Sequence, residues 1–126
     1  MTRRWVTGWK LDPAERAGLL RHFPPIFPDV VADHVTLRTG TDAQTPLPAA
    51  TGGEIVGETD DGAGVQALVV QIDGTTDRAD GSTYHITWSL DRSRGRRAVE
   101  SNAVIARLGW RALPEPIAIR LHPARF

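Results

Sequence analysis

Apolar and polar residues alternate with period two along residues 84–90, Tyr-His-Ile-Thr-Trp-Ser-Leu. On a strand this sets His85, Thr87 and Ser89 on one face and Tyr84, Ile86, Trp88 and Leu90 on the other, the second being a core face. A shorter copy stands 51 positions earlier, where His34, Thr36 and Arg38 oppose Val35 and Leu37 within a strand predicted over 30–38. Residues 65–72 are apolar on both faces and predict a central strand, paired with a strand over 54–59 through a turn at Asp61-Gly62. A helix is predicted over 11–22, with Asp12 as N-cap, Pro13 at the first position, Glu15 completing a capping box, and Leu19, Leu20 and Phe23 on its apolar side. The prolines at 24, 25 and 28 stop it.

A second helix is predicted over 96–108. Arg96, Glu100 and Arg107 make a narrow polar stripe, so most of the helix is expected to be buried, and Gly109 closes it. Ile117, Ile119 and Leu121 alternate in a last strand, whose start Pro114 and Pro116 place at a sheet edge or a turn. Residues 39–53 and 74–81 read as loops, and Trp5 and Trp9 fall outside any predicted element, with packing and base stacking equally open to them. The order is helix, strand, two strands, strand, helix, strand: one α+β domain over 1–126. The paired histidine strands, one near the start of each half, suggest two lobes with a groove between them.

Composition narrows the chemistry. The chain has no cysteine, which excludes disulfides, cysteine-ligated zinc and a thiol nucleophile. No apolar run has the length of a signal peptide or a membrane span, so a cytoplasmic protein is expected. Net charge is zero, but it is unevenly spread: residues 29–91 carry −9 and residues 92–126 carry +6. Fourteen of the fifteen cations are arginine, a residue suited to phosphate.

Cleavage of a cyclic phosphodiester needs a base, an acid and donors for the non-bridging oxygens. Two histidines meet the first two needs, because imidazole titrates near neutrality. A threonine two residues on emerges from the same strand face and offers a hydroxyl donor. The paired His34-Val35-Thr36-Leu37 and His85-Ile86-Thr87-Trp88 resemble the two signatures of the 2H phosphoesterase superfamily. The run 84–90, followed by Gly95-Arg96, Ala98, Glu100-Ser101-Asn102 and Gly109-Trp110, looks most like its "Swiss army knife" branch associated with RNA repair, across about residues 30–122.

That resemblance implies a bilobal fold of two pseudo-symmetric lobes, each with antiparallel strands and a helix, around a central groove. It implies metal-independent action on 2′,3′-cyclic phosphate termini of RNA, on cyclic nucleotides or on related 2′–5′ linkages, with no cofactor. His34 and His85 take the acid and base roles in either order, and Thr36 and Thr87 hold the phosphate. The chain is short for the superfamily, and Asp33 before the first histidine departs from its pattern.

Arg38 and Ser89, which share faces with the histidines, are expected to bind substrate, as are Arg92 and Arg96; Arg97 is a weaker candidate. His22 and His122 are expected to lie outside the site. RNA or a nucleotide carrying the cyclic phosphate is the expected partner, without membrane or metal, and a monomer is expected. A binding module that captures such an end without turnover is the alternative. A metal site of His34, His85 and Asp33 is disfavoured, because alternation points Asp33 away from His34.

Overall fold

The structure is a computed structural model that describes residues 4–126. Seven strands form one antiparallel sheet: β1 (Trp5–Leu11), β2 (Asp29–Val30), β3 (His34–Thr41), β4 (Gly52–Asp60), β5 (Val65–Gln71), β6 (His85–Leu90) and β7 (Arg111–Arg125), in the order β2-β6-β5-β4-β7-β1-β3. Two helices accompany it, α1 (Pro13–His22) and α2 (Glu100–Leu108).

β5 is central and buried on both faces, as its unbroken apolar run predicts. Leu68 and Val70 join the main core with Trp9, Phe23, Val35, Ile86 and Trp88, while Val65, Ala67 and Val69 pack toward Val104 and Ile105 of α2. Trp88 is 0% exposed and donates its indole N–H to the Phe23 carbonyl at 2.7 Å, so the proline-rich stop after α1 is fastened to the core.

Trp5 and Trp9 belong to a strand that the sequence reading leaves out. Gly8 lies at its middle, and a Cβ there would come within 2.2 Å of the Val35 carbonyl oxygen. Glycine therefore lets β3 lie against β1, although in a strand it reads as a breaker. Trp9 is a core residue: its ring meets Tyr84 edge-on at 5.8 Å and its N–H donates to Ala50 O.

The strand expected over 30–38 is two strands. β2 pairs with β6, and β3 pairs with β1. Between them the chain bends at Ala32, which is fully buried with φ of 42°. At the bend Val31 and Ala32 donate their N–H groups to Trp88 O and Thr87 O. Arg16 of α1 satisfies their carbonyls, with Nε 2.8 Å from Ala32 O and a terminal nitrogen 3.1 Å from Val31 O. This passage brings β3 into contact with β6, although the two are far apart in strand order.

Other expectations change. Asp12 caps α1 by accepting from Ala14 N, but Glu15 makes no capping box; its carboxylate accepts from Arg120 N. α2 starts at Glu100 rather than 96 and buries only Ser101, Val104 and Ile105; Val99 before it and Leu108 at its end are exposed. β7 is no edge strand: residues 111–120 pair with β4 and residues 121–125 with β1. Pro114 and Pro116 are tolerated because the β4 ladder is interrupted there, between Ile55↔Ile117 and Gly57↔Ala112.

Replacing Arg16 by Met would strand two half-buried carbonyls. The expected cost is about 2 kcal/mol, read as a lower urea midpoint with the m-value unchanged.

Candidate functional site

Both histidine motifs line one cavity of about 200 Å³, walled by His34, Thr36 and Thr39 of β3, His85 and Thr87 of β6, Arg78 of the β5–β6 connection, and Ala98, Val99 and Asn102 at the start of α2. The alternation of His85, Thr87 and Ile86, Trp88 holds, with the second pair in the core. It fails one residue later on each strand, for the same reason. Ala67 pairs with Thr87 and Gln66 with Ser89, so Trp88 is an extra residue, a β-bulge. Gly8 pairs with Thr36 and Thr7 with Arg38, which makes Leu37 the extra residue on β3.

The bulges remove two expected substrate ligands. Ser89 is turned to the Trp88 side, fully buried, where it donates to Gln66 Oε1 at 2.5 Å and accepts from Phe27 N. Leu90 is moved the other way, against Val104 of α2. Arg38 is exposed and off the cavity, and Thr39 takes the place that alternation gave it. The arginines after β6 also lie elsewhere. Arg96 is bound to Asp61 at 2.7 Å, to Glu100 at 3.2 Å and to Ala63 O, which makes it a strut beneath α2. Arg92 and Arg97 line a neighbouring, open cavity.

The two imidazoles are held by different partners. His85 Nδ1 lies 2.8 Å from the Thr83 carbonyl oxygen, which can only accept, so Nδ1 carries the proton. Burial, foremost, then the charges of Arg78 and His34 push the His85 pKa below its ordinary value, against the hydrogen bond to Thr83. His34 Nδ1 lies 3.0 Å from Asp33 Oδ2, which also accepts from Lys10. Alternation alone points Asp33 away; the bend at Ala32, just before β3, lets its carboxylate fold back onto the ring. Burial raises the Asp33 pKa, but hydrogen bonds from Lys10 and His34 together outweigh it and hold the carboxyl below its usual value. Among the described residues no group of three or more histidines and carboxylates gathers as a metal would need.

Thr87 spends its single hydroxyl proton inside the protein, on Ala98 O at 3.2 Å or on Ser101 Oγ at 2.8 Å. Donation to a bound anion would require it to rotate. Arg78, hidden in a segment that reads as a polar loop, also lines the cavity, and its third nitrogen lies 3.5 Å from the Thr36 carbonyl oxygen. It is 8% exposed, gripped on two nitrogens by Asp80 at 3.1 and 3.0 Å, and within 3.4 Å of Asn102 Oδ1, yet it reaches the cavity wall. The signal available in the sequence is Asp80 two residues after Arg78, a fork partner close enough to hold a guanidinium inward. His122 is exposed but bonded through Nε2 to Asp12 at 3.1 Å, and His22 packs on Phe23; neither reaches the cavity.

His85 is expected to stay neutral in NMR titrations at pH values where free imidazole is half protonated. A lowered folded-state pKa means that the unfolded chain binds the extra proton first. The His85 contribution to stability is therefore complete above pH 6.5 and is lost as pH falls below it.

The chain matches no protein-family model, no curated protein and no solved structure.

Proposed function

We propose that this protein is a metal-independent phosphoesterase of the 2H type, acting on 2′,3′-cyclic phosphate termini of RNA or on cyclic nucleotides in RNA repair or processing. The observation that carries the reading is the meeting of His34, Thr36, His85 and Thr87 at one cavity, with a buried arginine beside them. With Nδ1 occupied on both imidazoles, Nε2 is the nitrogen each keeps for reaction. One takes a proton from water as its oxygen attacks phosphorus. The other gives a proton to the ribose oxygen as the P–O bond breaks. The product is a phosphomonoester, and the enzyme resets by exchanging protons with solvent. Thr36 and Arg78 hold the non-bridging oxygens, and Arg78 balances the growing negative charge. Support for a two-lobed reading comes from β7, whose two halves serve different neighbours, and from the contact between the two bulged histidine strands.

A second reading is a module that binds a nucleotide or an RNA end without turnover. The commitment of the Thr87 proton to Ala98 O or Ser101 Oγ leaves one phosphate donor fewer for either reading.

The test is turnover of 2′,3′-cyclic nucleotides, and of a short RNA ending in the cyclic phosphate, with excess EDTA. Wild type should turn over, and His34→Ala and His85→Ala should each lose about a hundredfold or more in kcat. Arg78→Met should raise KM as well as lower kcat. Nucleotide affinity with no turnover would select the binding module, and turnover abolished by EDTA would sink the proposed chemistry.

A further inference from the structure

We infer that Ser101 is a positioning residue for the phosphate: it donates to Thr87 Oγ1, and so leaves the Thr87 proton to turn from a backbone carbonyl onto a non-bridging oxygen of the bound phosphoryl group. This rests on the phosphoesterase reading and deepens it, because it lets Thr87 serve a ligand although its proton lies inside the protein when the cavity is empty.

A serine or threonine hydroxyl carries one proton and two lone pairs. Thr87 Oγ1 lies 2.8 Å from Ser101 Oγ and 3.2 Å from Ala98 O, and the carbonyl can only accept. Ser101 is fully buried, and Thr87 Oγ1 is the one hydrogen-bond partner of its hydroxyl among the described residues. If Thr87 donated to Ser101, the Ser101 proton would stay buried with no acceptor, which folded proteins rarely leave standing. The arrangement that satisfies both donors has Ser101 donating to Thr87 and Thr87 donating to Ala98 O.

The two bonds have different duties. The short one joins the first turn of α2 to β6, and Ser101, which is not among the residues walling the cavity, is out of a ligand's reach. It holds in place the oxygen of Thr87, which does wall the cavity. The 3.2 Å bond to Ala98 O is long for a hydroxyl donor, so little is lost when the O–H swings about the Cβ–O bond toward an anion. A charged oxygen takes that proton in preference to a carbonyl. Ser101 goes on donating after the swing, and a hydroxyl that accepts one hydrogen bond is a stronger donor of the next. The proton never leaves Thr87; only the direction of its O–H changes.

The test is sulfur substitution at the phosphate. Sulfur accepts hydrogen bonds poorly, and the two diastereomers of a nucleoside 2′,3′-cyclic phosphorothioate place it at one non-bridging position or the other. Thr87→Val should shift the ratio of their kcat/KM values about tenfold from the wild-type ratio, as loss of one hydrogen bond to a charged group implies. Ser101→Ala should shift it about threefold in the same direction, and should shift it no further when added to Thr87→Val. Ser101→Cys, which keeps a weak donor of similar size, should fall between wild type and Ser101→Ala. Alanine is smaller and a good helix former, so Ser101→Ala is expected to fold. A residue that only tethered α2 would slow both diastereomers equally, so an unmoved ratio in Ser101→Ala overturns the inference. If the wild type shows no turnover, the phosphoesterase reading falls, and calorimetric affinity for adenosine 2′- and 3′-monophosphate decides the role of Ser101 by itself. Losses of about tenfold in Thr87→Val and about threefold in Ser101→Ala that do not add would support it. Unchanged affinity in Ser101→Ala, or no binding by the wild type, overturns it.

Discussion

The grip of Arg16 on the carbonyls of Val31 and Ala32 is the contact on which the site depends. A chain that leaves β2 must turn sharply to start β3, and the turn places a non-glycine residue in the left-handed region, at a cost of about 1 kcal/mol or more. It is also fully buried, where unpaired backbone groups are expensive. Hydrogen bonds to Trp88 and Thr87 on one side and a guanidinium on the other leave none of its four polar groups unpaired. Because that bend holds, a single stretch of chain is tied to β6 and then to β1, and His34 faces the cavity that His85 faces.

Much of this was legible where local pattern and burial agree. Val65 to Ile72 read as a central strand because it is apolar on both faces, and β5 is one. His85 and Thr87 opposite Ile86 and Trp88 read as a functional face against a core face, and their side chains divide that way. What was not legible depends on pairing between strands. A bulge adds a residue to one strand relative to its neighbour, so nothing within 84–90 or 34–41 marks Trp88 or Leu37 as the extra one. Arg38 and Ser89 were displaced for that reason. β1 was missed because Gly8 looks like a breaker until Val35 O is seen pressed against it. Pro114 and Pro116 read as a sheet edge or a turn because their tolerance comes from a gap in the β4 ladder.

Electrostatics of the cavity follow from which charges are buried with partners. Asp80 lies low in its ionisation range mainly because Arg78, and after it Ser82, bind its carboxylate. The pair keeps a cation inside at tolerable desolvation cost, and Asn102 Oδ1 and the Thr36 carbonyl hold the rest of the guanidinium at 3.4 and 3.5 Å. On the far side of α2, Arg96 with Asp61 and Glu100 is saturated and serves as support. The sequence makes these arginines look alike; their neighbours in space divide one that lines the cavity from one that braces a helix.

The position of β1 between β3 and β7 also bears on how the chain folds. Main-chain pairing of β3 is to β1 alone, while β1 needs residues 121–125 on its other side. A strand begun at residue 5 thus waits for a partner more than a hundred residues later, a long loop to close before its contacts repay the entropy. During synthesis β4, β5 and β6 can pair as they emerge, but β1 and β3 remain a two-stranded ribbon until residues 121–125 leave the ribosome. The half of the cavity that carries His34 is therefore the last to become rigid.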